Sequence, residues 1–133
     1  MPPASSRSPA SGGGRRVVLV VEDEILIAMD LELLLEQQGW RVLGPAASVA
    51  EVLHLLEAGR PLPEVALLDV NLRGELVTPV AEALRAHGVP FLLVSAYDRA
   101  VLDVPALAGA VNLGKPTDQR RLLAALKRAV ESN

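Results

Sequence analysis

Asp69 stands directly after Val65-Ala66-Leu67-Leu68, a run with no polar residue, and Val70-Asn71-Leu72-Arg73-Gly74 follows it. An unbroken aliphatic run suits a strand covered on both faces of a parallel sheet, and Asn, Arg and Gly belong to turns. A carboxylate inside such a strand is costly unless paired. At the strand's C-terminal end it can face water or a cation, and that end is where open α/β sheets bind ligands. A solitary Asp there would merely start a turn or cap a helix. Asp69 is not solitary. Glu22-Asp23-Glu24 follows a second apolar run (Val17–Val21), Ser95 follows a third (Phe91–Val94), and Lys115-Pro116 comes after Ala110-Val111-Asn112-Leu113.

Each of these residues therefore falls at the end of an expected strand, on one rim of a sheet. If the strands before Glu22 and Asp69 are neighbours, Glu22, Asp23 and Asp69 crowd together. Like charges in such proximity raise one another's pKa and oppose folding. A hard divalent cation relieves that repulsion, and carboxylate oxygens with a carbonyl and waters are the ligand set of Mg²⁺. Lys115 offers a point charge to the oxygens of an incoming phosphoryl group, and the Ser95 hydroxyl can donate to one of them. The assembly suits phosphoryl transfer onto a carboxylate: a nucleophile, a metal clamp and two donors for the equatorial oxygens.

The elements that must position these groups alternate along the chain. Arg16–Val21 reads as a first buried strand, and Ile25–Gln38 as a helix with Ile25, Met29, Leu33 and Gln37 on one face. Gly39 closes that helix. Trp40–Gly44 is a short second strand stopped by Pro45, and Ser48 with Glu51 forms a capping box for a helix over Val49–Ala58. After the Asp69 strand, Glu75–His87 reads as a third helix with Leu76, Val80, Leu84 and His87 at helical spacing, Pro79 in its first turn and Gly88 after it. Ala96–Gly109 holds at best a short helix. Ala110–Leu113 is a weak fifth strand interrupted by Gly114, and Thr117 is placed to cap a last helix carrying Leu122, Leu123, Leu126 and Val130. Five strands alternating with helices, with no repeat and no second hydrophobic block, describe a doubly wound parallel α/β domain. Chain order alone leaves the strand order open.

Composition narrows the function further. The 133 residues suffice for one domain with a conventional core, and half are hydrophobic but only 2% aromatic, so that core is aliphatic. A formal net charge of −3 argues against nucleic-acid binding by phosphate neutralisation. One Trp, one Tyr and one Phe offer no stacking platform for single strands. The apolar runs fall far short of a membrane span. Residues 1–14 are mostly Pro, Ser, Gly and Ala, contain no apolar block and read as a disordered tail rather than a signal peptide, leaving 15–133 as the domain. The absence of cysteine excludes disulfides and fits a cytoplasmic protein.

Val21-Glu22-Asp23-Glu24, Leu68-Asp69-Val70-Asn71-Leu72, Val94-Ser95-Ala96 and Gly114-Lys115-Pro116 together resemble the response-regulator receiver domain of two-component signalling, in order, spacing and strand context, over about residues 15–131. The resemblance implies a flavodoxin-like (βα)5 sandwich with a five-stranded sheet ordered 2-1-3-4-5. It implies Asp69 as phosphoryl acceptor, with Mg²⁺ held by Asp23, by Glu22 largely through water, by Asp69 and by the backbone carbonyl of Asn71. Ser95 would be the switch hydroxyl, Lys115 the phosphate-binding lysine, and the Lys115–Pro116 bond cis. The phosphoryl donor would be a histidine kinase or a histidine phosphotransfer protein. Such a domain catalyses its own phosphorylation and dephosphorylation. With no module after the last helix, its output is expected to be a protein contact, an onward relay or a phosphate sink.

Several positions depart from the family pattern. Glu22 stands where many members have Asp, and Asn112 where they usually carry Tyr or Phe; Tyr97 could serve in place of that aromatic. Gly114 is unusual just before the lysine. The alternative function is a receiver-like module that binds a protein partner without being phosphorylated. A flavin carrier of the same topology is disfavoured, because acids follow the first strand where a phosphate loop would be required. His54 reads as an ordinary helix-surface residue, His87 as a helix C-terminal residue helped by the dipole, and Trp40 as packing beside the second strand.

Overall fold

In the computed structural model, four parallel strands, Val17–Val21 (β1), Arg41–Ala46 (β2), Val65–Asp69 (β3) and Phe91–Val94 (β4), form one sheet in the order β2-β1-β3-β4. The structure describes residues 16–58, 62–72, 74–95, 105–115 and 117–131. The expected disordered tail, Tyr97 and the Lys115–Pro116 bond lie outside the described residues. Past β4 the chain at 111–113 joins the sheet edge through one parallel bridge, Leu93 to Asn112. The fifth strand thus keeps its expected place but is reduced to that bridge, because Gly114 at φ +81° turns the chain away.

The sheet is apolar on both faces because β1, β4 and β3 as far as Leu68 carry only apolar side chains, and successive residues feed opposite layers. Leu19, Val21, Ala66, Leu68 and Leu93 pack under the helices Val49–Glu57 (α2) and Thr78–Ala86 (α3). Val18, Val20, Leu67, Leu92 and Val94 pack under Ile25–Gln37 (α1) and Gln119–Glu131 (α4), where Trp40 is also buried. Every crossover between parallel strands is a helix, which leaves each strand's C-terminal end pointing to the same rim. No helix among the described residues is long and apolar enough to cross a membrane.

Local sequence explains the boundaries. The Ser48 Oγ accepts the Glu51 N–H at 3.1 Å while Glu51 Oε1 accepts the Ala47 N–H at 3.2 Å, so α2 has its reciprocal cap. Gly39 at φ +91° follows α1 as anticipated. Pro45 does not stop β2, which runs to Ala46: β2 is an edge strand, and a register shift between Leu19 and Val21 absorbs the extra residue. Helix α3 starts at Thr78 rather than Glu75, because Glu75–Leu76 pairs antiparallel with Asn71–Leu72. Leu76 is thereby exposed and Val77 buried. Between β4 and the bridge, the described residues hold a single 3-10 turn, Pro105–Leu107. Arg85 of α3 fastens it, donating from Nε to Ala106 O and from Nη2 to Ala108 O at 2.8 Å each, with its guanidinium 5.1 Å over the Phe91 ring.

Helix α1 corrects the sequence reading most. Ile25, Met29 and Leu33, expected on the packed face, are 72%, 59% and 57% exposed. The buried residues are Ala28 and Leu35, with Leu31 and Leu34 half-buried beside them. The helix is apolar around most of its circumference, so spacing alone does not select a face. Leu35→Ala is therefore expected to cost about 2–5 kcal/mol in chemical denaturation, against less than about 0.5 kcal/mol for Leu33→Ala. Equal losses would return α1 to the face its spacing suggests.

Candidate functional site

The parallel register assembles the site. Val21 pairs with Leu68, so Glu22 emerges beside Asp69, and Asp69 pairs with Val94, so Ser95 emerges one residue farther on the other side. Glu22 is pinned at the rim because its N–H donates to Ala46 O at 2.9 Å. Glu22, Asp69 and Ser95 are the buried polar residues of the described chain, at 3%, 8% and 4% exposure. Asp23 is half-buried next to them. The Lys115 ammonium reaches in from the loop before α4, with Nζ 3.2 Å from Glu22 Oε1, 3.3 Å from Asp69 Oδ2 and 3.9 Å from Glu24 Oε1. These separations exceed those of a tight charge-assisted bond, as expected of one cation shared among several carboxylates.

Burial dominates the electrostatics. Desolvation, partly offset by the Glu24 N–H that donates to Glu22 Oε2 at 3.2 Å, and reinforced by the Asp69 charge, raises the Glu22 pKa to about 7. Burial also works to lower the Lys115 pKa, but the Asp69 and Glu22 charges outweigh it, so the lysine holds its proton more firmly than usual.

The donor set fits a hard divalent cation. Carboxylate oxygens of Glu22, Asp23 and Asp69 lie within 4.8 Å of one another. Opposite ligands of an octahedral Mg²⁺ are about 4.2 Å apart, so modest side-chain adjustment or an intervening water accommodates the ion. The backbone of Asn71 lies two residues beyond Asp69, at the start of the short ladder with Glu75–Leu76.

Two residues have roles that their sequence context did not reveal. Asn112 is not merely a missing aromatic: its Oδ1 accepts the Ser95 N–H at 3.1 Å and the Gly114 N–H at 3.0 Å. A polar amide between Val111 and Leu113, two residues before Gly114, was the available signal. Thr117 does not cap α4; its hydroxyl donates to Gly114 O, and Asp118 instead accepts the Arg120 N–H at 3.0 Å. His54 and His87 are exposed, His54 on the surface of α2 and His87 at the end of α3.

The model of the response regulator receiver domain matches residues 18–127. The chain belongs to that family. This receiver is 30% identical over 115 residues to the phyllosphere-induced regulator PhyR of Methylorubrum extorquens, a match covering 85% of this chain and 43% of that protein. It is 30% identical over 118 residues to the transcriptional regulatory protein PdtaR of Mycobacterium tuberculosis, covering 86% of this chain and 57% of the relative. The receiver thus spans about half the length of these relatives. Among solved structures, the response-regulator REC domain of PhyR from Erythrobacter litoralis superposes with a TM-score of 0.79 at 24% identity, covering 90% of this chain and 93% of that one. The latter shares the fold, with its parallel sheet between helical layers.

Two outcomes follow for the metal-free receiver. Glu22 holds a proton more tightly folded than unfolded, so its contribution to stability falls as pH rises from about 4.5 to about 7 and stays at its least favourable above that. Melting curves at about pH 5 and about pH 8 should therefore differ more for wild type than for Glu22→Gln. An identical pH response in both would contradict the burial of that carboxyl. Asp23→Asn, which removes one of the clustered charges, is expected to raise the metal-free Tm by roughly 4 °C while weakening Mg²⁺ binding. A lower Tm would count against repulsion at the rim.

Proposed function

We propose that this chain is a response regulator whose Asp69 accepts a phosphoryl group from the phosphohistidine of a histidine kinase or histidine phosphotransfer protein, in a Mg²⁺-dependent reaction in the cytoplasm. The observation that carries this reading is the approach of the Lys115 ammonium to within 3.3 Å of the Asp69 carboxylate at the strand-end rim. An Asp69 oxygen attacks phosphorus, the P–N bond to the donor imidazole breaks, and the imidazole leaves with its electron pair and takes a proton from solvent. Because Asp69 is fixed at the end of β3, attack is a matter of orientation rather than of activating a poor nucleophile. Lys115 is placed to exchange part of its contact with Asp69 for a phosphoryl oxygen, and Ser95, one residue past the strand neighbour of Asp69, to donate its hydroxyl to another. Glu22, Asp23, Asp69 and the Asn71 carbonyl would hold the Mg²⁺, which when bound neutralises charge on the transferred group. The signal then leaves through protein contact or onward phosphorelay.

Incubation with Mg²⁺ and acetyl phosphate, followed by intact-mass measurement, tests this directly. Wild type should gain the mass of one phosphoryl group and Asp69→Ala none, while Lys115→Ala should react roughly a hundredfold more slowly. Failure of wild type to react with acetyl phosphate, phosphoramidate or a phosphorylated kinase would favour a receiver that binds its partner unphosphorylated.

A further inference from the structure

At Asn112 the sheet's hydrogen bonding passes from backbone to side chain. The parallel bridge between Leu93 and Asn112 comprises Leu93 N–H to Val111 O and Leu113 N–H to Leu93 O, each 2.8 Å. A continued parallel ladder would next join the Ser95 N–H to the Leu113 carbonyl. It does not. Gly114 adopts φ +81° and turns the chain out of register, and the Leu113 carbonyl instead accepts from Arg121 Nη1 at 3.4 Å. The Asn112 Oδ1 takes over the missing rung, accepting the N–H of Ser95 at 3.1 Å and that of Gly114 at 3.0 Å. Because both partners are donors, the amide orientation is fixed, with the oxygen toward them.

The two amides belong to the two segments that present the phosphoryl-binding donors. Ser95 carries one on its own side chain, and Gly114 immediately precedes Lys115. Resting on the phosphoryl-acceptor reading, we propose that Asn112 is a positioning residue that latches the Ser95 segment to the Lys115 segment, setting the separation of the hydroxyl and the ammonium across the Asp69 carboxylate. A Phe or aliphatic side chain at this position could not do this, having no acceptor for either amide. The latch works through a single oxygen that accepts both bonds, so loss of that oxygen releases both segments at once. A second tie lies just beyond it, where the Thr117 hydroxyl donates to Gly114 O. The Gly114 peptide is thus held from both its N–H and its carbonyl, and Asn112 is the tie that reaches across to β4.

The latch separates two properties that a general loss of structure would change together. Asn112 contributes no carboxylate to the cluster proposed to hold the metal, so Mg²⁺ affinity should depend on it far less than phosphoryl uptake does. The full chain, ¹⁵N-labelled, serves for wild type, Asn112→Leu, which is close in size and lacks an acceptor, and Asn112→Asp, which keeps the oxygen. In Asn112→Leu, amide hydrogen exchange at Ser95 and Gly114 should quicken about tenfold, and phosphorylation by acetyl phosphate at saturating Mg²⁺ should slow by about the same factor. Mg²⁺ affinity should stay within about twofold of wild type, and Asn112→Asp should restore exchange protection at both amides. Should Asn112→Leu melt below the assay temperature, Asn112→Ser, too short to span both amides, provides the same comparison. Unchanged protection of Ser95 and Gly114 would overturn the latch. Faster exchange with wild-type phosphorylation kinetics would reduce Asn112 to a structural tie. If wild type itself takes no phosphoryl group, the acceptor reading fails and the positioning role with it, while the exchange data still report whether the tie exists.

Discussion

One ammonium group serves two buried carboxylates at the edge of this sheet. Lys115 lies 3.2 Å from Glu22 and 3.3 Å from Asp69, and both acids are almost wholly withdrawn from water. Two such groups could not remain side by side ionised and unpartnered, because desolvation and mutual repulsion act in the same direction. The shared lysine offsets part of that cost, and the raised pKa of Glu22 shows that part remains. The rim is therefore a site held short of electrostatic balance. It is receptive to a divalent cation, and through that cation to an anion that the carboxylates alone would repel.

Everything beneath the rim serves to keep those acids together. The sheet is an apolar slab, and its register brings Glu22 beside Asp69, the last residue of β3, and Ser95 just beyond Val94. Helices on both faces exclude water from the slab, so the acids sit at the boundary between a low-dielectric core and solvent. The segment after β4 is held by different means: Arg85 grips the Ala106 and Ala108 carbonyls from the neighbouring helix, and Asn112 substitutes a side-chain rung for a strand. Continuous backbone ladders join β1, β3 and β4, whereas side-chain ties help hold the edge from which Lys115 projects.

The adjacency of the Glu22 and Asp69 strands was implied only by the family resemblance. The layered architecture, and the placement of Glu22, Asp23, Asp69, Ser95 and Lys115 after successive apolar runs, were legible in the sequence because both depend on local pattern. Helix caps at Ser48 and Gly39 were legible for the same reason. The exposed side of α1 was not, because a helix with Ile25, Leu26, Met29, Leu33 and Leu35 offers several equally apolar faces, and only the tertiary fit of Leu35 against the sheet chooses. The start of α3 was hidden because pairing of Glu75–Leu76 with Asn71–Leu72 competes with helix formation. Asn112 showed what it lacks, an aromatic ring, but not what its amide reaches, since Ser95 lies 17 residues away in the chain.

The central claim is that the rim acids require a cation and that Lys115 supplies it until a metal arrives. Calorimetric titration of Mg²⁺ into wild type and Lys115→Ala, with the metal-free melting temperature of each, measures this most directly. Removing the lysine deepens the negative potential and should tighten Mg²⁺ binding severalfold while lowering metal-free stability. Unchanged Mg²⁺ affinity together with an unchanged melting temperature would show that the lysine and the acids do not share one electrostatic site, and would contradict the account.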